Sequence, residues 1–353
     1  MSSPSPSTPA AVAWSDPQRQ AAFERWLATL APVHGIDAGS VRSASADASF
    51  RRYLRVDTDH GSRIVMDAPP AHEDCRPFVQ MARLLREGGL NAPEVLAWDE
   101  AQGFMLLSDL GDRTYLAALN NDNARPLYGD ALAALVKLQG IAAHGQVPAY
   151  DRALLSREMQ LFPEWYVARH VGATLSAEEQ ARLADCMELI LQNNLAQPTV
   201  LVHRDYHSRN LMLSGEPGSP ANPGVLDFQD AVLGPVTYDL ASVLRDAYVE
   251  LDEEVQIDYA VRYWERARKA GLPVSADFGA FWRDFEWMGL QRHIKVLGIF
   301  ARLSHRDGKD NYLADLPLVW RYAHRVATRY NGLGPLAHLL ERLAGSSRVE
   351  GFY

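Results

Sequence analysis

The sequence predicts an α+β fold in two unequal lobes, a small β-rich N-lobe followed by a large, mostly helical C-lobe. Three observations carry this. Strand-like segments crowd into the stretch before residue 108, where aromatic and β-branched residues sit between turn-forming clusters. Beyond Asp109 the apolar residues fall at helical spacing over long segments. A chain of 353 residues is also too long for one small core and suits two packed lobes. The expected division is a flexible tail over 1–15, an N-lobe over 16–108 and a C-lobe over 109–353.

The tail is rich in Ser, Pro and Ala and lacks the basic start and apolar run of a signal peptide. Asp16 is a good N-cap and Pro17 fits the first helical position, so a helix should open there. Phe23, Trp26, Leu27 and Leu30 continue it at helical spacing, and Gly35 and Gly39 predict a loop. Phe50 to Val56 and Arg63 to Met66 read as strands around a turn at 57–61. Pro77 to Arg86 reads as a helix stopped by Gly88 and Gly89, and Glu94 to Trp98 and Phe104 to Leu107 as two more strands. In the C-lobe, helices are expected over 125–142, 156–170 and 177–193. Three short apolar strands then interrupt, over 200–202, 211–213 and 225–226, before helices return.

The formal net charge of −9 argues against nucleic acid as a partner, because phosphate backbones are held by basic patches. No apolar run approaches the roughly 18 residues that span a bilayer, so no membrane partner is expected. Two cysteines, Cys75 and Cys186, without a metal-ligand spacing suit a reducing compartment, and the expected location is cytoplasmic. Oligomeric state is not legible.

The chemistry-bearing stretch runs from Leu201 to Leu213. Two apolar strands bracket a polar loop with Asp205 and, five positions later, Asn210; a third strand ends in Asp227-Phe228-Gln229. Phosphoryl transfer needs one carboxylate beside the acceptor hydroxyl and hard oxygen donors that hold magnesium against the phosphates. Asp205, Asn210 and Asp227 match those needs.

These residues, set as His203-x-Asp205-x-x-x-x-Asn210 followed by Asp227, resemble the aminoglycoside phosphotransferase and choline kinase family, itself similar to protein kinases. The resemblance covers about Asp16 to Leu343 and implies a protein-kinase-like bilobal fold with ATP and Mg2+ as cofactors. It implies Asp205 as catalytic base, Asn210 and Asp227 as magnesium ligands, and His203 and Arg204 as loop supports. It also implies an adenine-binding hinge at Leu107 to Leu110, where backbone groups contact the base. Only twelve positions separate Asp227 from Asp239, which leaves no room for a peptide-substrate platform, and Asp239 reads as structural.

Two family features are missing. No glycine stands in Ser43 to Phe50, where Ser45 or Ser49 could donate to phosphate, and Asp67 aligns where a strand lysine is expected. A cation on the preceding strand should substitute; alternation puts Arg51 and Arg55 on one face and Arg52 on the other.

Ala48 to Tyr53, Val65 to Pro70, Asp109 to Asp112 and Leu290 to Leu303 resemble a bacterial subgroup, the N-acetylmuramate/N-acetylglucosamine kinases, which phosphorylate an anomeric hydroxyl during peptidoglycan recycling. The partner implied is a small amino sugar. Candidate acceptor residues are His207, Gln229, Asp230 and Trp165, with Tyr166, Trp282 and Trp287 as further aromatics. Arg292, Lys295 and Arg302 are candidates for pairing with the lactyl carboxylate of muramic acid. The competing expectations are an aminoglycoside or choline kinase, and a nucleotide-binding pseudokinase scaffold.

Overall fold

The computed structural model describes residues 12–45 and 51–346. Helix α1 (Pro17–His34) opens as expected, with the Asp16 carboxylate accepting the Gln18 N–H at 2.8 Å, and ends where Gly35 turns left-handed. The loop expected through Gly35 and Gly39 is instead strand β1 (Ile36–Ser45), which pairs antiparallel with β2 (Arg52–Thr58). A register shift between Asp37 and Arg42 absorbs Gly39, and side chains stitch the irregularity. Asp37 accepts from Gly39 N–H, and Ser40 Oγ accepts from Asp57 N–H. A bulge of this kind hides the period-two pattern that marks a strand.

Strand β3 (Gly61–Asp67), helix α2 (Arg76–Glu87), β4 (Val95–Asp99) and β5 (Phe104–Ser108) complete an antiparallel sheet of order β1-β2-β3-β5-β4. Alternation gives the sheet two apolar faces. Leu54, Val56, Val65, Phe104 and Leu106 pack against Phe23, Trp26 and Leu27 of α1. Met66, Met105 and Leu107 join Phe78, Met81 and Leu85 of α2 in a cluster that continues into Leu211, Val225 and Phe228. That second face therefore looks toward the expected catalytic segment, and Phe78 meets Phe228 with ring centroids 5.0 Å apart.

Beyond β5 come α3 (Tyr115–Ala118), α4 (Ala124–Gln139) and α5 (Arg152–Leu161). The single helix expected over 156–170 starts earlier, where Asp151 caps Leu154 N–H, and changes hand-width at Phe162 into a π-helical run to Val171. Pro163 lies at that junction; its ring removes a donor and crowds the preceding turn, which widens the helix. Helix α6 (Ala177–Leu195) follows, opened by a capping box between Ser176 and Glu179.

The expected strands appear as β6 (Thr199–Val202), β7 (Leu211–Met212) and β8 (Gly224–Val225). A fourth, β9 (Val232–Pro235), pairs antiparallel with β6, while β7 pairs with β8. Helices α7 (Tyr238–Leu244), α8 (Glu253–Lys269), α9 (Phe278–Asp307), α10 (Leu316–Arg329) and α11 (Gly334–Ser346) close the fold. Helix α9 runs through the lobe, and the second large core forms where it meets α5, α6, α10 and α11. Cys75 and Cys186 are buried free thiols. Among the described residues no helix is long and apolar enough to cross a membrane.

Gly298 of α9 lies against the backbone of Leu161, where α5 gives way to the π-helical run; a Cβ there would fall inside contact distance of the Leu161 carbonyl. Gly298→Ala should therefore cost about 2 kcal/mol or more, because backbone must move to admit it. Gly289→Ala meets only ordinary contacts and should be neutral or slightly stabilising. Thermal unfolding of the two variants checks the pair.

Candidate active site

The loop between β6 and β7 carries Asp205 and Asn210, and it is held from beneath. Asp239, at the start of α7 and fully buried, accepts His203 N–H at 2.7 Å and Arg204 N–H at 3.0 Å. Arg204 has φ of 77°, a left-handed conformation unusual for a non-glycine residue. Its guanidinium reaches Glu158 of α5 at 2.6 Å and the Asp230 carbonyl at 3.3 Å. The buried Tyr206 hydroxyl donates to the Ala131 carbonyl on α4, and Ser208 N–H donates to Asp246. The expectation that Asp239 is structural holds, with the loop backbone as its partner.

His203 links the two halves of the site. Nε2 lies 2.9 Å from the Leu226 carbonyl, and Nδ1 accepts Asp205 N–H at 3.3 Å. The carbonyl makes Nε2 the protonated nitrogen, so the ring is neutral. Burial pushes its pKa down to about 4, in agreement.

Asp227 follows β8 with φ of 62°. Asn210 Nδ2 donates to the Asp205 carbonyl at 3.0 Å and lies 3.3 Å from Asp227 Oδ2. Both Asn210 and Asp227 thus reach one place, with the Asn210 amide nitrogen turned inward and its oxygen given no protein donor among the described residues. One carboxylate and one amide oxygen suit a magnesium ion, which takes few protein ligands and completes its shell with phosphate and water. Among the described residues no cluster of three His, Cys, Asp or Glu side chains forms a protein-only metal cage. Gln229 Nε2 donates to Asp227 Oδ1 at 2.8 Å, so it orients this carboxylate instead of reaching toward an acceptor.

The N-lobe candidates separate by face. Arg52 points to the α1 side, where it pairs with Asp67 at 2.5 Å and lies over Trp14. It does not face the cleft. Asp67, 1% exposed, is shared with Arg19 at 2.6 Å and points the same way, so it does not stand where a strand lysine would. The alternating strand turns Met66 toward the cleft face instead. Arg51 lies on the opposite face from Arg52 and pairs with Glu73 at 2.9 Å, just ahead of α2. Arg55 is bound to Asp109 at 2.6 Å and to the Gly111 carbonyl. Asp109 also accepts from Ser62 and from Gly111 N–H, so its side chain braces the hinge. Leu107 is buried in the core behind the hinge. Ser45 ends β1 opposite Tyr53, and Ser49 lies outside the described residues.

On the far side of Asp205, His207 is buried and meets Tyr248 edge-on at 5.4 Å, while Arg209 stacks over Tyr248 at 3.9 Å. Lys295 of α9 pairs with Glu158 at 3.0 Å and donates to the Tyr238 hydroxyl at 3.1 Å. Arg292 is buried one turn earlier on α9. Asp230 is exposed and contributes its carbonyl to Arg204. Trp165, Tyr166 and Trp287 pack with the second core and Trp282 with the first, so these four aromatics are taken up by packing. Arg302, further along α9 beside Arg306 and Asp307, is partly buried, and its Nε has no protein partner among the described residues.

Burial works against the Asp205 carboxylate, but the positive charges around it, Lys295 foremost and Arg292 among them, outweigh it and hold its pKa below the ordinary value. For Glu158, burial is likewise outweighed by Lys295 and Arg204. Burial pushes the Asp239 carboxyl up to about 7 despite its two backbone bonds. Sequence reasoning missed Glu158, although a carboxylate on the helix face shared by Leu155, Met159 and Phe162 was a usable signal.

A profile described as a phosphotransferase enzyme family matches residues 40–272. A Pseudomonas aeruginosa N-acetylmuramate/N-acetylglucosamine kinase is 51% identical over 300 residues, covering 85% of this chain and 87% of its own. A protein of the same name from Neisseria meningitidis serogroup B is 45% identical over 94% of this chain and 98% of its own. The solved GDP complex of aminoglycoside 2′-phosphotransferase-IIIa aligns with a TM-score of 0.59 over 88% of this chain and 99% of that one; at 15% identity the likeness is one of fold. The chain belongs to this phosphotransferase family, and its fold is the protein-kinase-like one expected.

Lys295 is the strongest of the charges favouring ionised Asp205. Removing it in Lys295→Met disfavours the carboxylate and raises its pKa. Activity that needs the carboxylate is then lost at higher pH as the solution is acidified. The pH profile of kcat/KM should show its acid limb displaced upward relative to wild type.

Proposed function

We propose that this phosphotransferase is an ATP-dependent sugar 1-kinase, which phosphorylates the anomeric hydroxyl of N-acetylmuramate and N-acetylglucosamine in cell-wall recycling. The observation that carries the reading is the convergence of Asp205, Asn210 and Asp227 on a loop braced by Asp239. The names of relatives at 45–51% identity supply the acceptor. Residues 16–108 act as the nucleotide-covering lobe and 109–353 as the catalytic lobe, in the cytoplasm where ATP and the sugars meet.

Asp205 receives the proton of the acceptor hydroxyl. An anomeric hydroxyl is more acidic than an ordinary alcohol, so a carboxylate with a lowered pKa is an adequate base. Asn210 and Asp227 would hold magnesium, which supplies charge neutralisation at the phosphates. Gln229 keeps the Asp227 carboxylate oriented. Arg51, steadied by Glu73, takes over the phosphate-facing charge that a strand lysine carries in protein kinases. Most of the rate then comes from alignment of the two substrates. A polycationic aminoglycoside is disfavoured as acceptor by the cations that surround Asp205, among them Lys295 and Arg292.

ADP release with magnesium and ATP, measured in parallel with N-acetylmuramate, N-acetylglucosamine, choline and kanamycin, tests the reading. Turnover is expected with the amino sugars alone, and Asp205→Asn should lower kcat by at least about 100-fold. Turnover confined to choline or kanamycin would sink the acceptor assignment, and nucleotide binding without any turnover would favour a scaffold. Arg51→Met should raise the KM for ATP by about 10-fold or more, whereas Arg52→Met should leave it within about twofold. Equal KM values for the two variants would remove Arg51 from the phosphate site.

A further inference from the structure

Three neighbours on α9 are used in three ways. Lys295 is committed to Glu158 and Tyr238, and the His293 ring is bonded to the Arg245 carbonyl at 3.1 Å. Arg292 is only 3% exposed, yet among the described residues it joins no ion pair, and its Nε and Nη1 donate to no protein acceptor. The contrast with Arg245 is sharp. That guanidinium is as deeply buried and has its own Nη1 unpartnered, but it is held by Glu286 and Gln256, each at 3.0 Å. A guanidinium withdrawn from water without an acceptor is strongly destabilising, and folds keep one only where something else completes it.

The surroundings identify what is missing. The Arg292 charge acts on Asp205, His207, Tyr248 and the buried Asp239, so it lies among the side chains that surround the base. A second buried polar atom at this place, His207 Nδ1, is also without a partner. The unmet need is therefore for an acceptor of hydrogen bonds that carries negative charge and arrives with the substrate.

We propose that Arg292 is the carboxylate-binding residue of the acceptor subsite, receiving the acid group of a sugar that carries a carboxylate on an ether arm. The inference rests on the sugar-kinase reading and sharpens it. N-acetylmuramate has such a carboxylate and N-acetylglucosamine does not, so one acceptor makes this contact and the other lacks it. Of the three cations that the sequence offered for this role, Lys295 is already paired, and Arg302, although its Nε also lacks a partner, is only partly buried and lies further along α9 beside Arg306 and Asp307.

The test compares kcat/KM of the full-length wild type and Arg292→Gln for both sugars. Because Arg292 also favours ionised Asp205, both sugars should lose some rate, and the expected result is a loss about 10- to 100-fold greater for N-acetylmuramate than for N-acetylglucosamine. Equal losses for the two sugars would assign Arg292 to the support of Asp205 and overturn the proposal, as would no loss for either. Should the variant fold poorly, the wild-type enzyme answers with the methyl ester of N-acetylmuramate. A drop of about 10-fold or more relative to the free acid supports the proposal, and parity overturns it. Wild-type enzyme that turns over neither sugar overturns the sugar-kinase reading itself and this inference with it, an outcome distinct from turnover with an unchanged preference.

Discussion

The site depends on a knot of buried charge beneath the catalytic loop. Glu158 accepts from Arg204, Lys295 and the Tyr150 hydroxyl, while Asp239 accepts two successive backbone N–H groups of the same loop. Each charge alone would be intolerable at such depth; together their acceptors and donors are nearly matched. The knot ties four separate parts of the chain, α5, the loop after β6, α7 and α9, to one point. It also allows Arg204 to keep a left-handed backbone, since both its N–H and its guanidinium are anchored. Asp205 sits next in sequence, so its position follows from that geometry.

In the N-lobe, the deciding constraint is strand parity. Arg52 and Asp67 are directly opposite in the β2–β3 register, and both turn toward α1. Shifting attention by one residue, to Arg51 or Met66, moves to the other face. The acid at position 67 is therefore no obstacle to an anionic nucleotide, being screened behind the sheet by two arginines. The hinge obeys the same logic. Arg55, two residues beyond Tyr53 on the Arg51 face, reaches over to Asp109 and makes the strand and the hinge a single bonded unit.

How much was legible followed from how local each signal was. Asp205 and Asn210 lie within one strand-loop-strand stretch and Asp227 just past the next strand, and residue type and spacing singled the three out. The two-lobed plan was equally visible, because period-two and helical patterns occupy different parts of the chain. Strand β1 was hidden, since its bulge around Gly39 breaks the alternation. The π-helical run was hidden because its cause, Pro163, competes with an otherwise continuous helical pattern. Whether Arg51 or Arg52 faces the cleft could not be read without knowing which side α1 covers. Gln229 and Lys295 were placed near the acceptor by sequence proximity, yet their partners, Asp227 and Glu158, show them serving other side chains.

The brevity of the link between Asp227 and Asp239 reaches beyond the exclusion of a peptide platform. Strand β9 lies within it and is zipped to β6, the strand that leads into the loop carrying Asp205. The segment that protein kinases leave loose, to be ordered by phosphorylation, is here part of a sheet. The loop that carries Asp205 and the segment after Asp227 are therefore one bonded unit, so that neither can shift without carrying the other with it.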